Sequence, residues 1–489
     1  MADYDLAIIG GGLNGVSVAR DAAGRGLRVI LLEQGDLGGA ASAATGRLIH
    51  GDLALLERRA LSRVRAALTE REIWLRIAPH LVRPARFVIP AHSDERPPWL
   101  LRLGLLFYDR LAPHDGLTSS ATIDVTHHPI GNALRRPFGT AFEYSDCLVD
   151  DSRLVITTAI DAAERGAVIR TGARCVRADR LDVWRLAVVD RGHRHVITTR
   201  SLANASGAWA ASVAETVLRM PPPRAAVLKT GQIIVRRLFE TENVYVFQNR
   251  DHRLIFASPY QGDFTMIGTV VGLFKGDPAA VSMTADEVAY LCDSANRYFR
   301  EPVDPSDVIR SFSGVNLVSG RPGKRIAREG TTIFDARRGR APLLTIFGGD
   351  VTTARVRAER AVSHLSKFYP MSPRWTAHTA LPGGDFPPAQ FERQIERTRE
   401  RWKFLEPDQA RRLVFAYGSR VDCVLGDARE RAGLGEAFGP ELTAAEVRHL
   451  MIKEWARFPD DILWRRSKLG LTIGIADRER LAAFMATVV

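Results

Sequence analysis

Apolar patterning divides the start of the chain without help from composition. The run DLAIIG (5–10) is followed by a glycine-rich turn, by VSVARDAAGRG (16–26) with apolar and small residues at helical spacing, and by a second apolar run, LRVILLE (27–33). Short apolar runs bounded by glycine mark buried strands, and a three-to-four spacing marks an amphipathic helix, so residues 5–33 predict strand, turn, helix and strand in that order. Helical spacing returns over 60–77 and 152–166. The latter precedes two short strands, AVIRT (167–171) and ARCVRA (173–178), and an apolar, small-residue stretch, SLANASGAWAASV (201–213). Residues 226–335 alternate more like strands (GQIIVRRL, VYVFQN, LIFASPY, FTMIGTVVG) and predict an antiparallel sheet. The strand PLLTIFG (342–348) leads into a basic helix that ends near residue 369. A Pro- and Gly-rich stretch at 370–388 reads as a boundary, and 389–489 reads as helical.

The first turn, Gly10-Gly11-Gly12-Leu13-Asn14-Gly15, carries the candidate chemistry. Gly10 permits a tight turn, Gly12 lets backbone approach a pyrophosphate, and Gly15 lets the helix pack closely on the strand. The helix N-terminus then offers free N–H groups to the anion. Glu33 closes the second strand 18 residues after Gly15, near the spacing expected of a carboxylate that accepts the hydroxyls of an adenosine ribose. One such turn is present, so a second nucleotide domain for NAD(P)H is not expected. A bound flavin that passes its electrons to another acceptor suits this layout.

Length and charge narrow the picture. A chain of 489 residues has room for two or three domains. The net charge of +12 comes almost wholly from arginine, since only 7 of 68 basic residues are lysine, and no nucleic-acid motif accompanies it. Nucleic acid is therefore not an expected partner. No apolar run approaches a membrane span, and no signal peptide is expected ahead of the first strand. The segment 98–108, PWLLRLGLLFY, reads either as a core helix or as a surface helix at a lipid interface. Cys147, Cys175, Cys292 and Cys423 are scattered without CxxC or Cys/His spacing. That pattern predicts a reducing cytoplasm and no bound metal.

From end to end the sequence resembles the FAD-dependent glycerol-3-phosphate dehydrogenases. The likeness rests on IIGGGLNGVSVARDAAGRGL with LLEQGDL, RLIHG, TEREIWLRIAPHLVRPARFVIP, FEYSDCLVDDSRLV, NASGAW, IGTVVGLFKGDP, FGG with VTTAR, LPGG, AYGSR and EWARFPDDILWRRSKLG. The resemblance implies an α/β fold in which a Rossmann-like FAD-binding domain (1–80, 150–225 and 336–370) is interleaved with a mixed, largely antiparallel substrate domain (81–149 and 226–335). A helical domain (388–489) follows. It further implies that Gly10, Gly12, Asn14 and Gly15 hold the FAD pyrophosphate and that Glu33 and Gln34 hold the ribose. Ser42, Arg47 and Leu48 would pack along the cofactor, and Val176 would offer backbone to the adenine end. Ala205, Gly207, Gly348, Gly349, Val351 and Thr352 would border the flavin, with a helix starting near Thr352 aiming its positive end at the ring.

The substrate pocket departs from the family. Where the family reads HGGLRYLE this chain has HGDLALLE (50–57), GVRPL has become GVNLV (314–318), and FGGKLTTYR has become FGGDVTTAR (347–355). Val270 replaces a threonine and Gln232 a histidine, while Arg328 is retained. Three cations are lost and Asp52 and Asp350 are gained, and each charge-assisted contact to phosphate contributes roughly 1.5–3 kcal/mol. Three lost contacts weaken binding of a phosphate dianion by several orders of magnitude, at about 1.4 kcal/mol per tenfold. The candidate catalytic and substrate residues are therefore His50, Asp52, Asn316, Arg328 and Asp350, and the expected substrate is a neutral polyol or an amine in place of glycerol 3-phosphate. For Asp52 the alternative is a cap or an ion pair with Arg47, for Asp350 a helix cap, and for His50 simple packing.

The expected reaction is hydride transfer from CH–OH or CH–NH to flavin N5, with a carboxylate, His50 or water taking the proton. Quinone or oxygen is the expected acceptor, and a homodimer or a peripheral position at the inner membrane face is compatible with the chain. Two rival readings stand beside it: a genuine glycerol-3-phosphate dehydrogenase whose phosphate site is rebuilt by Arg321, Lys324 and Arg325, and a non-catalytic flavin-binding protein.

Overall fold

The apolar alternation of the first strand decides what covers each face of the first sheet. In a computed structural model that describes residues 2–53, 60–91, 97–112, 116–135, 139–249, 251, 253–320 and 330–488, Leu6 and Ile8 of Tyr4–Ile9 face one core cluster and Ala7 and Ile9 another. A strand buried on both sides belongs in the middle of a parallel sheet. Tyr4–Ile9 indeed lies between His193–Asn204 and Val29–Glu33, with Leu343–Phe347 and Val168–Thr171 beyond them, all parallel. The helices Leu13–Gly24, Asp151–Glu164 and Ala354–Ser363 pack on one face. The hairpin of Ala173–Arg180 and Trp184–Asp190 covers the other and buries Trp184 and Leu186. Thr331–Asp335 adds an antiparallel edge to this sheet, ahead of the boundary expected at 336.

The second sheet runs Arg310–Ser319, Ala225–Arg236, Phe264–Leu273, Leu254–Tyr260, Val244–Gln248, Val82–Pro90, Thr140–Val149 and Leu48–Ile49. All its pairings are antiparallel except that of Val244–Gln248 with Val82–Pro90. The helix Ala285–Asn296 packs on it through Leu291, Cys292 and Ala295, where the alternation had suggested strands alone. Its start is marked by a capping box in which the Thr284 and Glu287 side chains each bond the other's backbone N–H.

The segment 98–108 forms the helix Pro98–Arg110, buried on one side only. Leu105 and Tyr108 are inside, while Trp99 and Leu103 are 67% and 56% exposed. Among the described residues no helix is long and apolar enough to cross a membrane.

Residues 391–487 form a separate helical core around Leu413, Phe438, Val447 and Ile462. It is bolted to the first domain by charge. The Arg153 guanidinium meets Glu454 and the Ala416 carbonyl, and Asp36 accepts from Arg465 Nε at 2.5 Å and Arg466 Nη2 at 2.7 Å. Opposing charge holds the Glu454 carboxyl down at about 2 despite its burial.

Candidate cofactor cleft and active site

Ligands of open parallel sheets bind beyond the carboxyl ends of the strands, where neighbouring connections diverge. Four such ends lie side by side here. Tyr4–Ile9 runs into Gly10–Gly15, Val29–Glu33 ends at Glu33, His193–Asn204 runs into Ala205–Gly207, and Leu343–Phe347 runs into Gly348–Gly349.

The glycines are sterically required at two of these positions. Gly10 has φ +110, and a Cβ there would lie 2.6 Å from the Ala205 carbonyl oxygen; a Cβ on Gly15 would lie 1.9 Å from the Gly10 carbonyl oxygen. Strand, turn and helix thus touch backbone to backbone, which brings the first turn of Leu13–Gly24 up to the strand ends. Glu33 Oε2 accepts from Gly11 N at 2.7 Å and Oε1 from Gly35 N at 2.7 Å, which fixes its carboxylate beside the turn. Burial raises its pKa in spite of those bonds. Gln34 is exposed next to it. Val176 stands at a bulge where the register with the facing strand shifts between Cys175 and Arg177, so its backbone is released from the ladder. A glycine cradle, a carboxylate at the second strand end and a released backbone group fit a dinucleotide.

The loop after Glu33 closes over this cleft. Ser42 Oγ accepts from Leu13 N at 3.1 Å, and Gly314 packs against Ala41 so closely that a Cβ there would lie 3.0 Å from its Cα. Asn316 shares a sheet face with Gly314, since side chains two apart in a strand point the same way. Arg47 reaches the end of the strand Thr140–Val149. Its Nε donates to the Val149 carbonyl at 3.1 Å, its guanidinium pairs with Asp150 at 3.4 Å, and it lies over the Tyr260 ring. With Gln232 and Lys468 it lines a small cavity to which His50, Asp52, Asn316 and Asp350 do not contribute. Leu48 likewise packs into the cluster of Phe142 and Tyr144.

His50 and the last turn come together through backbone. Thr352 Oγ1 accepts from His50 N at 3.1 Å and donates to the His50 carbonyl at 3.4 Å, while Trp74 Nε1 donates to the Thr352 carbonyl at 2.8 Å. Behind them Tyr108 OH accepts from Gly51 N at 2.7 Å and donates to Asp146 Oδ2 at 2.7 Å, and Asp146 Oδ1 takes Arg71 Nη1 at 2.8 Å. Burial raises the Asp146 pKa, and the nearby Arg71 and His50 oppose that rise. Asp52 follows at φ +57, and its charge bears on Tyr144.

Gly348 and Gly349 are both left-handed, at φ +68 and +84. Asp350 is exposed beside them, and its Oδ1 accepts from Thr353 N and Thr353 Oγ1, each at 2.7 Å. The carboxylate thus ties the turn ahead of the following helix to Thr353, the residue that precedes Ala354–Ser363, through Oδ1. Val351 packs on the first core. Arg328, with Arg321, Lys324 and Arg325, lies outside the described residues. Among the described residues no cluster of His, Cys, Asp and Glu could hold a metal ion.

Three features escape sequence reasoning: the Tyr108–Asp146–Arg71 chain, the Thr352 clamp on His50, and Arg357, whose Nε donates to Asn14 Oδ1 at 2.9 Å. Only Arg357 left a signal, as one of the arginines of the basic helix that follows the Gly348-Gly349 turn.

Residues 5–355 match the family model described as FAD dependent oxidoreductase, and 374–489 match the C-terminal domain of alpha-glycerophosphate oxidase. The chain is 42% identical to a glycerol-3-phosphate dehydrogenase of Pseudomonas aeruginosa, over 99% of this chain and 95% of that one. It is 39% identical to a D-erythritol 1-phosphate dehydrogenase of Brucella abortus, over 98% and 97%. In fold it is similar to the FAD complex of a Bacillus halodurans glycerol-3-phosphate dehydrogenase, with a TM-score of 0.74 and 22% identity over 99% and 94% of the two chains.

Proposed function

The chain belongs to the FAD-dependent oxidoreductase family that includes the glycerol-3-phosphate dehydrogenases, and from that premise we propose that it oxidises CH–OH or CH–NH in a small substrate other than glycerol 3-phosphate. When bound, FAD supplies the two-electron acceptor, at flavin N5, for the hydride that leaves the substrate carbon. Gly10, Gly12, Asn14, Gly15 and Glu33 hold the nucleotide half, and Gly348–Thr352 border the other. His50, clamped by Thr352 and near the buried Asp146, and Asp350, through its Oδ2, are the groups that accept the substrate proton.

The observation that carries this reading is the exchange of charge around the last turn. Residue 350 is an exposed carboxylate and residue 316 a neutral amide, where the resemblance implies a lysine and an arginine. A phosphate dianion meets repulsion there, whereas a hydroxyl or ammonium finds an acceptor. The relatives named for glycerol 3-phosphate and D-erythritol 1-phosphate favour a second reading, a phosphorylated polyol held by Arg328 and its neighbours.

Anaerobic titration of the holoprotein, following loss of the oxidised-flavin absorbance, decides between them. The expected result is bleaching by an unphosphorylated polyol or an amine and none by glycerol 3-phosphate, with Asp350→Lys restoring response to the phosphate. Rapid bleaching of the native protein by glycerol 3-phosphate overturns the first reading. Bleaching by a longer polyol phosphate alone selects the second.

The acceptor is a quinone or oxygen. The exposed Trp99, Leu100, Leu103 and Phe107, with Arg102 and Arg110 on the same helix, support docking of the protein at the inner face of a membrane, where quinone resides. The four free cysteines accord with a reducing cytoplasm. Co-sedimentation with anionic vesicles that is lost in Trp99→Glu/Leu103→Glu tests this placement. Dimerisation through the same patch would instead abolish an oligomer in that variant.

A further inference from the structure

We propose that Arg357 is an anion-binding residue of the cofactor cleft, its guanidinium serving the FAD pyrophosphate. Seven arginines are buried among the described residues. Six of them, Arg20, Arg25, Arg71, Arg153, Arg355 and Arg466, form an ion pair with Asp161, Asp21, Asp146, Glu454, Glu70 and Asp36 respectively. Arg357, 9% exposed, ends on neutral oxygens alone: Asn14 Oδ1 at 2.9 Å, Thr353 Oγ1 at 3.1 Å and the Asp350 carbonyl at 3.0 Å. The Asp350 carboxylate, whose Oδ1 is engaged by Thr353, bears on it through charge without forming an ion pair with it. A buried charge without a paired counter-charge costs several kcal/mol, and among the described residues no carboxylate forms an ion pair with this one.

The location makes that cost larger and gives it a purpose. Asn14 lies in the first turn of Leu13–Gly24, and Thr353 is the residue before Ala354–Ser363. The guanidinium therefore sits between two helix N-termini, each presenting the positive end of its dipole. The two helix ends add to the guanidinium's own positive field, the Asp350 carboxylate opposes it in part, and an anion is the group that lowers the energy of all three positive centres. Two glycines keep the space for the side chain: a Cβ on Gly349 would lie 2.0 Å from Nη1, and one on Gly330 2.4 Å from Cδ. Asn14 belongs to the Gly10–Gly15 turn, whose backbone approaches a pyrophosphate. That makes the cofactor's diphosphate the favoured counter-ion over a charge that develops on the ring during reduction. The proposal needs FAD but no particular substrate.

The test compares the native holoprotein with Arg357→Gln, which keeps hydrogen bonding and loses charge, and with Arg357→Lys. FAD release is read as flavin fluorescence on dilution at rising salt, and the flavin midpoint potential is measured in parallel. Arg357→Gln is expected to weaken FAD retention about 10- to 100-fold, the equivalent of one charge-assisted contact, and to flatten its salt dependence. Arg357→Lys is expected to recover part of the loss, and the potential is expected to stay unchanged. Unchanged retention in a folded Arg357→Gln protein overturns the proposal. Unchanged retention with a lowered potential also overturns it, assigning the charge to the reduced ring. If Arg357→Gln does not fold, the same measurement on Arg357→Lys decides: native retention that has lost its salt dependence counts against the pyrophosphate.

Discussion

His80 is a base buried where it can be neither solvated nor paired. It packs against Gly383 and Gly418, where the C-terminal domain meets the first domain, and neither ring nitrogen has a hydrogen-bond partner among the described residues. Burial, reinforced by the positive charges of Arg153 and Arg420, pushes its pKa down from 6.5 to about 3. The unfolded chain therefore binds a proton that the folded chain refuses anywhere between those values. For such a group the stability is complete above about pH 6.5 and is lost as the pH falls through the window. The penalty works out at about 2 kcal/mol at pH 5 and about 3.4 kcal/mol at pH 4. His80→Leu removes the titration at similar volume and breaks no hydrogen bond, so its stability at pH 8 should lie within about 1.5 kcal/mol of the native protein. Urea unfolding of both proteins from pH 8 to 4 is the assay. Glu454 and Asp150, whose carboxyls are both held at about 2, titrate equally in the two proteins and cancel in the difference. The difference should grow toward acid in favour of His80→Leu. A difference that stays flat down to pH 4.5 refutes the reasoning.

Gly15→Ala should abolish FAD retention and yield a colourless or insoluble protein, because its Cβ would lie 1.9 Å from the Gly10 carbonyl oxygen; a yellow, folded variant contradicts the close packing on which the cleft depends. Thr352→Val removes both bonds to the His50 backbone, at 3.1 and 3.4 Å, and should leave FAD bound while slowing flavin reduction about tenfold, equivalent to about 1.4 kcal/mol for the two together. Stopped-flow reduction at the native rate would show that the clamp does not position His50.

How much of this was legible along the chain follows from the range of the interactions concerned. The nucleotide half was readable because its determinants are local: Gly10, Gly12, Gly15 and Glu33 lie within one strand–helix–strand unit, and each answers to a backbone conformation or a strand end. Helix Leu61–Ile77, helix Asp151–Glu164 and strand Leu343–Phe347 were visible for the same reason, as apolar periodicity is set by nearest neighbours. Asp350 shows where reading along the chain stops. Its residue type allowed both a helix cap and a substrate acceptor; its Oδ1 bonds Thr353, one residue ahead of the helix, a contact that residue type alone does not specify. Arg47 was placed along the cofactor by resemblance; that its guanidinium pairs with Asp150, 103 residues away, could not be read along the chain.

What the sequence determined by itself is the family, the FAD cradle and the apolar faces that must be buried, since these depend on steric and periodic features a short segment carries. Tertiary structure alone decided which charges are left without partners. Arg357 is one arginine among many in sequence, and it differs from Arg355 because Glu70 pairs with one guanidinium and, among the described residues, no carboxylate pairs with the other. Whether a buried charge is neutralised depends on groups brought together from distant parts of the chain, and the cost of burying it makes that pairing matter.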